Sequence, residues 1–496
     1  GNILGFFEAF KKYLIHDLEK EDFADLYSQT ITYGLFAART RSTGEFTRKS
    51  AFDAIPHTIG ILREIFRFIS LEELPKQMEC TVDDIAEILA NADVNKILHE
   101  YSKEGKGKDP IMHFYETFLV EYDPQTRERR GVYYTPEPVV SYIVRSLDII
   151  LKEKFNKADG FATQSVTVLD PAGGTLTFPA EAIKLAAKTF TEKYGEGAKT
   201  RFLREHVLNN FYSFELMMAP YAIGHIKMGF LLDELGCKLE KEERFKSYLT
   251  NTLEMEEFKQ SNLPFIKALS EESHLAEKVK KDIPILVIMG NPPYSGISTN
   301  IGKEITKLIE DYKYVDGKHF GEKKHWLQDD YVKFIRFAQW KIDKAGRGVL
   351  GFITNHSWLD NPTFRGMRQS LMTSFDEIHV LDLHGNSLKK EKCPDGSKDE
   401  NVFDIQQGVA ISIFVKKEKV KEEPIHPMFR PSPQQDIFTK KKTEEKPKKR
   451  ECEVFHSTVW GIRKNKYEWL ETHDIKNTRW KGLKPKSGFY FFIPRD

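Results

Sequence analysis

Apolar positions along the chain follow two rhythms. Up to about residue 130 they recur at spacings of three and four, as in Ile61, Leu62, Ile65, Phe66 and Ile69 and again over Ile85–Ala92, with few glycines or β-branched runs between them. That period predicts a helical domain over residues 1–130, with a polar break at Ser102–Pro110 before a further helix at Met112–Leu119. After Gly131 short apolar runs alternate with amphipathic stretches, the pattern of a doubly wound α/β sheet. The predicted strands are Ser165–Asp170, Phe211–Glu215, a third ending near Asn251, Ile285–Gly290, Gly348–Thr354, Ile378–Leu383 and Val409–Val415. The last two follow one another without a good crossover helix, which predicts an antiparallel pair at the sheet edge. Gly296–Asp329 is a long polar insertion, expected to form a mobile loop or small lobe. The α/β rhythm stops at about 415, so the expected divisions are 1–130, 131–415 and 416–496, the last beginning as a basic linker.

Composition narrows the class. A chain of 496 residues, 40% of them hydrophobic, supports two or three domains with sizeable cores. It contains neither an apolar run of the ~18 residues a membrane span needs nor a signal-like amino end, so a cytoplasmic protein without a membrane is expected. Cys80, Cys237, Cys393 and Cys452 are scattered, with no Cys-x-x-Cys pair; neither a disulfide framework nor a metal-ligating set is read from them. Net charge is +1, yet Lys416–Arg450 carries twelve Lys or Arg against six Asp or Glu, beside Phe429 and Phe438. Such a stretch suits phosphates or serves as a solvated linker. The chain opens on Gly1-Asn2 without an initiator methionine, and an excised segment of a longer protein is expected.

The sharpest chemical signal is Asn291-Pro292-Pro293-Tyr294 directly behind the apolar strand 285–290. Two prolines fix φ twice and remove two donors, leaving carbonyls without a ladder partner, and Asn291 adds a side-chain oxygen. Converging acceptors suit a planar N–H2 group, and the Tyr294 ring is available to stack on a base. A strand followed by this tetrapeptide resembles the catalytic loop of amino-group methyltransferases that use S-adenosylmethionine. A second loop, Asp170-Pro171-Ala172-Gly173-Gly174-Thr175-Leu176-Thr177, follows the first predicted strand and opens a helix. Small residues and helix-start N–H groups at the carboxyl edge of an open sheet suit a ligand. The second strand ends in Glu215, which can accept both hydroxyls of a ribose or simply stand as a surface carboxylate. Tyr134-Thr135-Pro136 leads into a further helix, with Thr135 as N-cap or as a contact to the methionine part of a cofactor.

From roughly residue 113 to 415, the chain resembles the methyltransferase region of the type ISP restriction–modification family. Tyr-Glu-Thr-Phe-Leu at 115–119, Gly-Val-Tyr-Tyr-Thr-Pro at 131–136, Phe-Glu-Leu-Met-Met-Ala-Pro-Tyr at 214–221, Leu-Thr-Asn-Thr-Leu-Glu at 249–254, Gly-Asn-Pro-Pro-Tyr at 290–294, Asp-Asp-Tyr-Val-Lys-Phe at 329–334, Arg-Gly-Met-Arg at 365–368 and Asp-Leu-His-Gly-Asn at 382–386 carry the resemblance. It implies a Rossmann-like α/β fold with an N-terminal helical coupler-like domain, and a γ-class enzyme methylating N6 of adenine in double-stranded DNA. It also implies nuclease, helicase and target-recognition parts in one parent polypeptide, with residues 416–496 starting the recognition region. The chain itself has neither a Gly-x4-Gly-Lys-[Ser/Thr] loop nor a nuclease constellation. One departure stands out: Leu176 occupies a position where the family has glycine, so its side chain is expected to crowd the cofactor or resist a positive φ.

The site residues that follow are Asn291, Pro292, Pro293 and Tyr294 for catalysis, Tyr294 and Phe403 for stacking the flipped base, and Tyr134, Thr135, Asp170, Ala172, Gly174, Thr177, Glu215 and Asn251 for S-adenosylmethionine. Asn251 has a local turn as its competing role, and Asp329 or Asp330 is read first as a helix cap. His384 and Asn386 lie at the cleft edge with no assigned chemistry. Two other functions remain beside DNA methylation: a protein glutamine methyltransferase, and a non-catalytic DNA-docking or coupling module whose cofactor pocket Leu176 has impaired.

Overall fold

The computed structural model describes residues 2–42, 44–55, 59–71, 74–94, 96–97, 135–255, 264–294, 296, 298–322, 325–418 and 451–495. Tyr134, the expected helix at 112–119 and most of the basic stretch 416–450, with Phe429 and Phe438, lie outside them.

A nine-stranded sheet organises the described residues. Its strands are β1 Val168–Asp170, β2 Phe211–Glu215, β3 Lys246–Leu249, β4 Val287–Gly290, β7 Gly348–Asn355, β8 Glu377–Asp382, β9 Val409–Lys416, β10 Glu453–Thr458 and β11 Lys481–Leu483; β5 Tyr314–Val315 and β6 Lys318–His319 form a separate hairpin. The order is β11-β10-β8-β9-β7-β4-β1-β2-β3. Strands β3, β2, β1, β4 and β7 are parallel, with Val168 level with Phe211 on one side and Val287 on the other. The chain leaves β1 in one direction towards β2 and β3 and later resumes on its other side with β4. That reversal is the switch point at which open α/β sheets hold ligands. β9 runs antiparallel between β7 and β8, as the missing crossover helix suggested, but the pair lies inside the sheet and not at the expected edge, because β10 and β11 continue it beyond β8.

The strands read as apolar runs because both faces are covered. Along β1, Val168 enters one core and Leu169 the other; Val349 and Ile353 of β7 face the first core, Leu350 and Phe352 the second. The helix Glu137–Lys154 packs close on β7, where a Cβ at Gly351 would stand only 3.0 Å from Ile143. Met218–Glu234 is apolar on nearly every side because it is covered twice. Met218, Tyr221 and Ala222 share a cluster with Phe6, Phe23, Leu35 and Phe66 of the N-terminal helices, so that region is joined to the sheet by a common core. The insertion after Gly296 forms a small lobe: a helix at Lys303–Glu310, the β5–β6 hairpin and a turn at His325–Gln328.

The sheet does not end at residue 415. β10 pairs in parallel with β8 over six residues, and β11 closes that edge antiparallel. The helix Arg463–Thr472 lies along Glu137–Lys154, where Arg145 Nη2 donates to the carbonyls of Leu470 (2.6 Å) and His473 (2.7 Å) and the Tyr142 hydroxyl pairs with Thr478 (2.9 Å). Residues 451–495, assigned from the sequence to the start of another region, thus complete the sheet. Half-exposed positions such as Glu453, Phe455 and Ser457 gave β10 no unbroken apolar run.

Candidate active site

The loops leaving β1, β2, β3, β4 and β7 converge at the carboxyl edge. Asp170 closes β1 fully buried. Its Oδ1 accepts from Ala172 N (3.0 Å), and its Oδ2 has no partner among the described residues. Burial pushes this carboxyl up to about 8, against the Ala172 hydrogen bond and with a smaller push from Glu215. Gly290 must be small there, since a Cβ would stand 2.7 Å from Asp170 Oδ1. Gly173 lies on β2 itself: its N–H donates to the Phe214 carbonyl (2.8 Å), and a Cβ would fall 2.0 Å from Ser213 Oγ. At Gly174, in contrast, nothing lies within 4 Å of a Cβ position, so the tip of the loop borders open space.

Glu215 closes β2 and grips both loops. Its Oε2 accepts from Gly174 N and its Oε1 from Met217 N, each at 2.7 Å, while burial raises its pKa to about 7. Thr177, at the start of the next helix, accepts from Lys227 Nζ (3.4 Å). Asn251 makes the local turn, its Oδ1 accepting from Leu253 N (3.0 Å). Its Nδ2 donates to the Leu14 carbonyl of the helical region (3.1 Å) and to Asn300 Oδ1 in the insertion (2.7 Å). Beneath this loop the Lys280 amine, which burial lowers to about 7, donates to Thr250 Oγ1, Asn251 O and Glu254 O.

Leu176 does adopt a left-handed backbone, φ +64°. Its side chain is fully buried, against Gly173 of the same loop and Gly224 of the helix Met218–Glu234, where added Cβ atoms would meet Leu176 Cδ2 at 3.1 Å and Cγ at 2.8 Å. The missing family glycine is offset by a glycine on the facing helix.

At the end of β4, Asn291 is held at both ends of its amide. Nδ2 donates to Thr135 Oγ1 (3.0 Å), and Oδ1 accepts from the Tyr294 hydroxyl (2.7 Å), which also reaches the Ile353 carbonyl (3.3 Å). Pro292 is buried and Pro293 half-buried. The Tyr294 ring meets Tyr331 edge-on at 6.3 Å and packs against the apolar cluster that contains buried Phe403. Thr135 is not a cap: the N-cap position belongs to Pro136, and the Thr135 hydroxyl serves Asn291. Asp329 occupies the N-cap position of Asp330–Ala345 but makes no side-chain capping bond. Asp330 Oδ1 instead holds the insertion, accepting from Ser298 Oγ (2.5 Å) and Asn300 Nδ2 (2.8 Å). Asp382, His384 and Asn386 form a separate group with His356, which sequence spacing could not bring together.

Residues 209–388 match the family of Eco57I restriction-modification methylases. No curated protein matches the chain. Among solved structures, the DrdV–DNA complex is similar over the whole chain at 22% identity and TM-score 0.73. A nuclease-deletion mutant of the Type ISP restriction-modification enzyme LlaGI with a DNA substrate mimic (21%, 0.72) and the ATP-dependent Type ISP enzyme LlaBIII bound to DNA (22%, 0.74) are likewise similar. The chain spans 43%, 36% and 30% of the length of these three proteins, respectively. The expected Rossmann-like sheet and the likeness to type ISP enzymes both hold. No helix among the described residues is long and apolar enough to cross a membrane.

Proposed function

We propose that this carboxyl-edge cleft transfers a methyl group from S-adenosylmethionine to N6 of an adenine turned out of double-stranded DNA, within a longer restriction–modification polypeptide. One observation carries the reading: the Asn291 amide, fixed by Thr135 and Tyr294, stands one strand from the Asp170–Gly174 loop. The methylase match over 209–388 and the neighbours described as DNA complexes support it.

The residues fit the cofactor. Asp170 Oδ2 is an orphaned buried oxygen, Gly174 borders open space, and the Glu215 carboxylate can exchange its backbone donors for ribose hydroxyls. Thr135, Ala172 and Thr177 would surround the rest, with Asn251 shaping the loop below; Tyr134, expected from the sequence to join them, lies outside the described residues. When bound, S-adenosylmethionine supplies a sulfonium methyl group, and the protein supplies alignment and electrostatics. An adenine inside a duplex cannot present its amine, so the nucleotide must leave the stack. Asn291 Oδ1 and the Pro292 carbonyl then accept the N6 hydrogens, which draws the nitrogen lone pair towards the incoming methyl group. Tyr294 stacks on the base, and Phe403 backs the same wall. Leu176 faces Gly224, which favours a working cofactor pocket over the docking-module reading.

Calorimetric titration of the chain with S-adenosylmethionine tests the first half. Saturable one-to-one binding that is lost in Glu215→Ala is expected; absence of saturable heat contradicts the proposal.

A further inference from the structure

We propose that His356, Asp382 and His384 form a binding site for a zinc-class divalent cation that pins the loop following β8. One ligand atom from each of the three lies within 4.8 Å of the others, and all three residues are buried. His356 Nδ1 approaches Asp382 Oδ1 at 3.0 Å, and His384 Nδ1 approaches Asp382 Oδ2 at 3.6 Å. Ligands around a tetrahedral Zn2+, bonded at about 2.0–2.1 Å, stand about 3.4 Å apart, so the group is close to a ligand polygon.

The independent observation is His384 itself. It is 8% exposed, yet neither ring nitrogen has a hydrogen-bond partner among the described residues. A buried polar atom without a partner is costly, and here both nitrogens of one ring are in that position, with Nδ1 facing the Asp382 carboxylate. The ring is clamped in that direction by stacking on Trp460, 3.3 Å between centroids and 13° between planes, while its backbone sits at φ +53°. Glu391 Oε1, 3.7 Å from His384 Nδ1, is placed to complete the shell by a small movement or through a water. His356 Nε2 is 3.1 Å from the Asn386 amide nitrogen, whose oxygen accepts from Lys389 N (3.0 Å), so an outer contact fixes the position of this imidazole. The cluster borders a cavity of about 470 Å3 that gives an ion a path in. Two imidazoles with carboxylate oxygens suit Zn2+ or Co2+ rather than Mg2+ or Ca2+.

The location gives the cation a purpose. Asp382 ends β8 and His356 follows β7, so one ion would tie two strand ends, while Trp460, which follows β10, stacks on the ligating His384. Gly385 packs on Asn401, where a Cβ would stand 2.4 Å from Asn401 Cα, and Asn401 Oδ1 holds Phe403 N at 2.9 Å. Fixing His384 therefore steadies the segment that carries Phe403. This inference stands apart from methyl transfer: the metal can be present or absent whichever base is modified.

The test is a titration of the whole chain, dialysed against a chelator, with Co2+ followed by visible absorption and then displacement by Zn2+. Uptake of one equivalent with the strong absorption of four-coordinate Co2+, bleached by Zn2+, is expected. His384→Ala should weaken uptake at least ~100-fold, while His274→Ala, on an exposed helix face, leaves it unchanged. Thermal unfolding of the wild-type chain should shift upward with Zn2+ and back with chelator. Wild-type protein that takes up no equivalent, or uptake that survives in a folded His384→Ala variant, overturns the site. A His384 ring that titrates as a simple imidazolium between Asp382 and Glu391, indifferent to Zn2+, overturns it as well.

Discussion

Asn291 shows how one amide is aimed before any substrate arrives. Its nitrogen donates to Thr135 and its oxygen accepts from Tyr294, so the plane and direction of the amide are fixed. Asn291→Ala should lower methyl transfer by about 10²-fold or more while leaving thermal stability nearly unchanged, in the range for loss of one preorganised polar group. Tyr294→Phe keeps the stacking ring and removes the hydroxyl that donates to Asn291 Oδ1, a hydrogen bond worth about 1 kcal/mol. A roughly fivefold loss in rate is expected, with base affinity retained, as read from single-turnover kinetics. Leu176 contributes in two opposing ways. Its left-handed backbone costs about 1–2 kcal/mol, whereas removing its buried side chain opposite Gly224 costs about 3–5 kcal/mol. Leu176→Gly should therefore destabilise the chain by about 1–4 kcal/mol in denaturant unfolding. Affinity for S-adenosylmethionine should change little, because the side chain is buried between Gly173 and Gly224 and does not fill the open space at Gly174. A large gain in affinity would show that Leu176 obstructs the cleft.

At the scale of elements, the ends of β1 and β2 carry carboxyls that folding makes harder to ionise. Asp170 rises to about 8 and Glu215 to about 7, both through burial. A carboxyl whose pKa is raised in the native chain binds its proton more tightly there than when unfolded. Its contribution is thus full below the ordinary carboxyl range near 4 and is lost as pH rises towards 8. Thermal scans of the ligand-free chain should show Asp170→Asn gaining on the wild type as pH goes from 5 to 8. A difference independent of pH would contradict the burial of that carboxyl. β10 makes a second element-scale prediction. Truncation after Glu418 uncovers the outer edge of β8 and one side of Glu137–Lys154, so a lower Tm and association detectable by light scattering are expected. β10 also marks where sequence reading failed. Strands β1, β2, β4, β7 and β9 were legible because burial on both faces leaves nearly continuous apolar runs. β10 carries Glu453, His456 and Ser457 and follows a long charged stretch, so nothing local assigned it to the same sheet. The catalytic tetrapeptide and the loop after β1 were legible because each is contiguous in sequence. The Gly224 partner of Leu176 and the His356–Asp382–His384 group were not, because separate segments meet only after folding.

Across the whole molecule, the N-terminal helices are joined to the site as well as to the core. Leu14 accepts from Asn251, which also donates to Asn300 of the insertion, and Asp330 anchors that insertion from the next helix. The cleft therefore depends on the helical region, the sheet and the inserted lobe together. One assay identifies the acceptor atom directly. The chain is incubated with duplex DNA and a methyl-labelled S-adenosylmethionine, and the DNA is then digested to nucleosides and the protein recovered separately. Label in N6-methyladenine, abolished by Asn291→Ala, is the predicted result. Label in N4-methylcytosine or in protein, or label in adenine at an unaltered rate with Asn291→Ala, would contradict it.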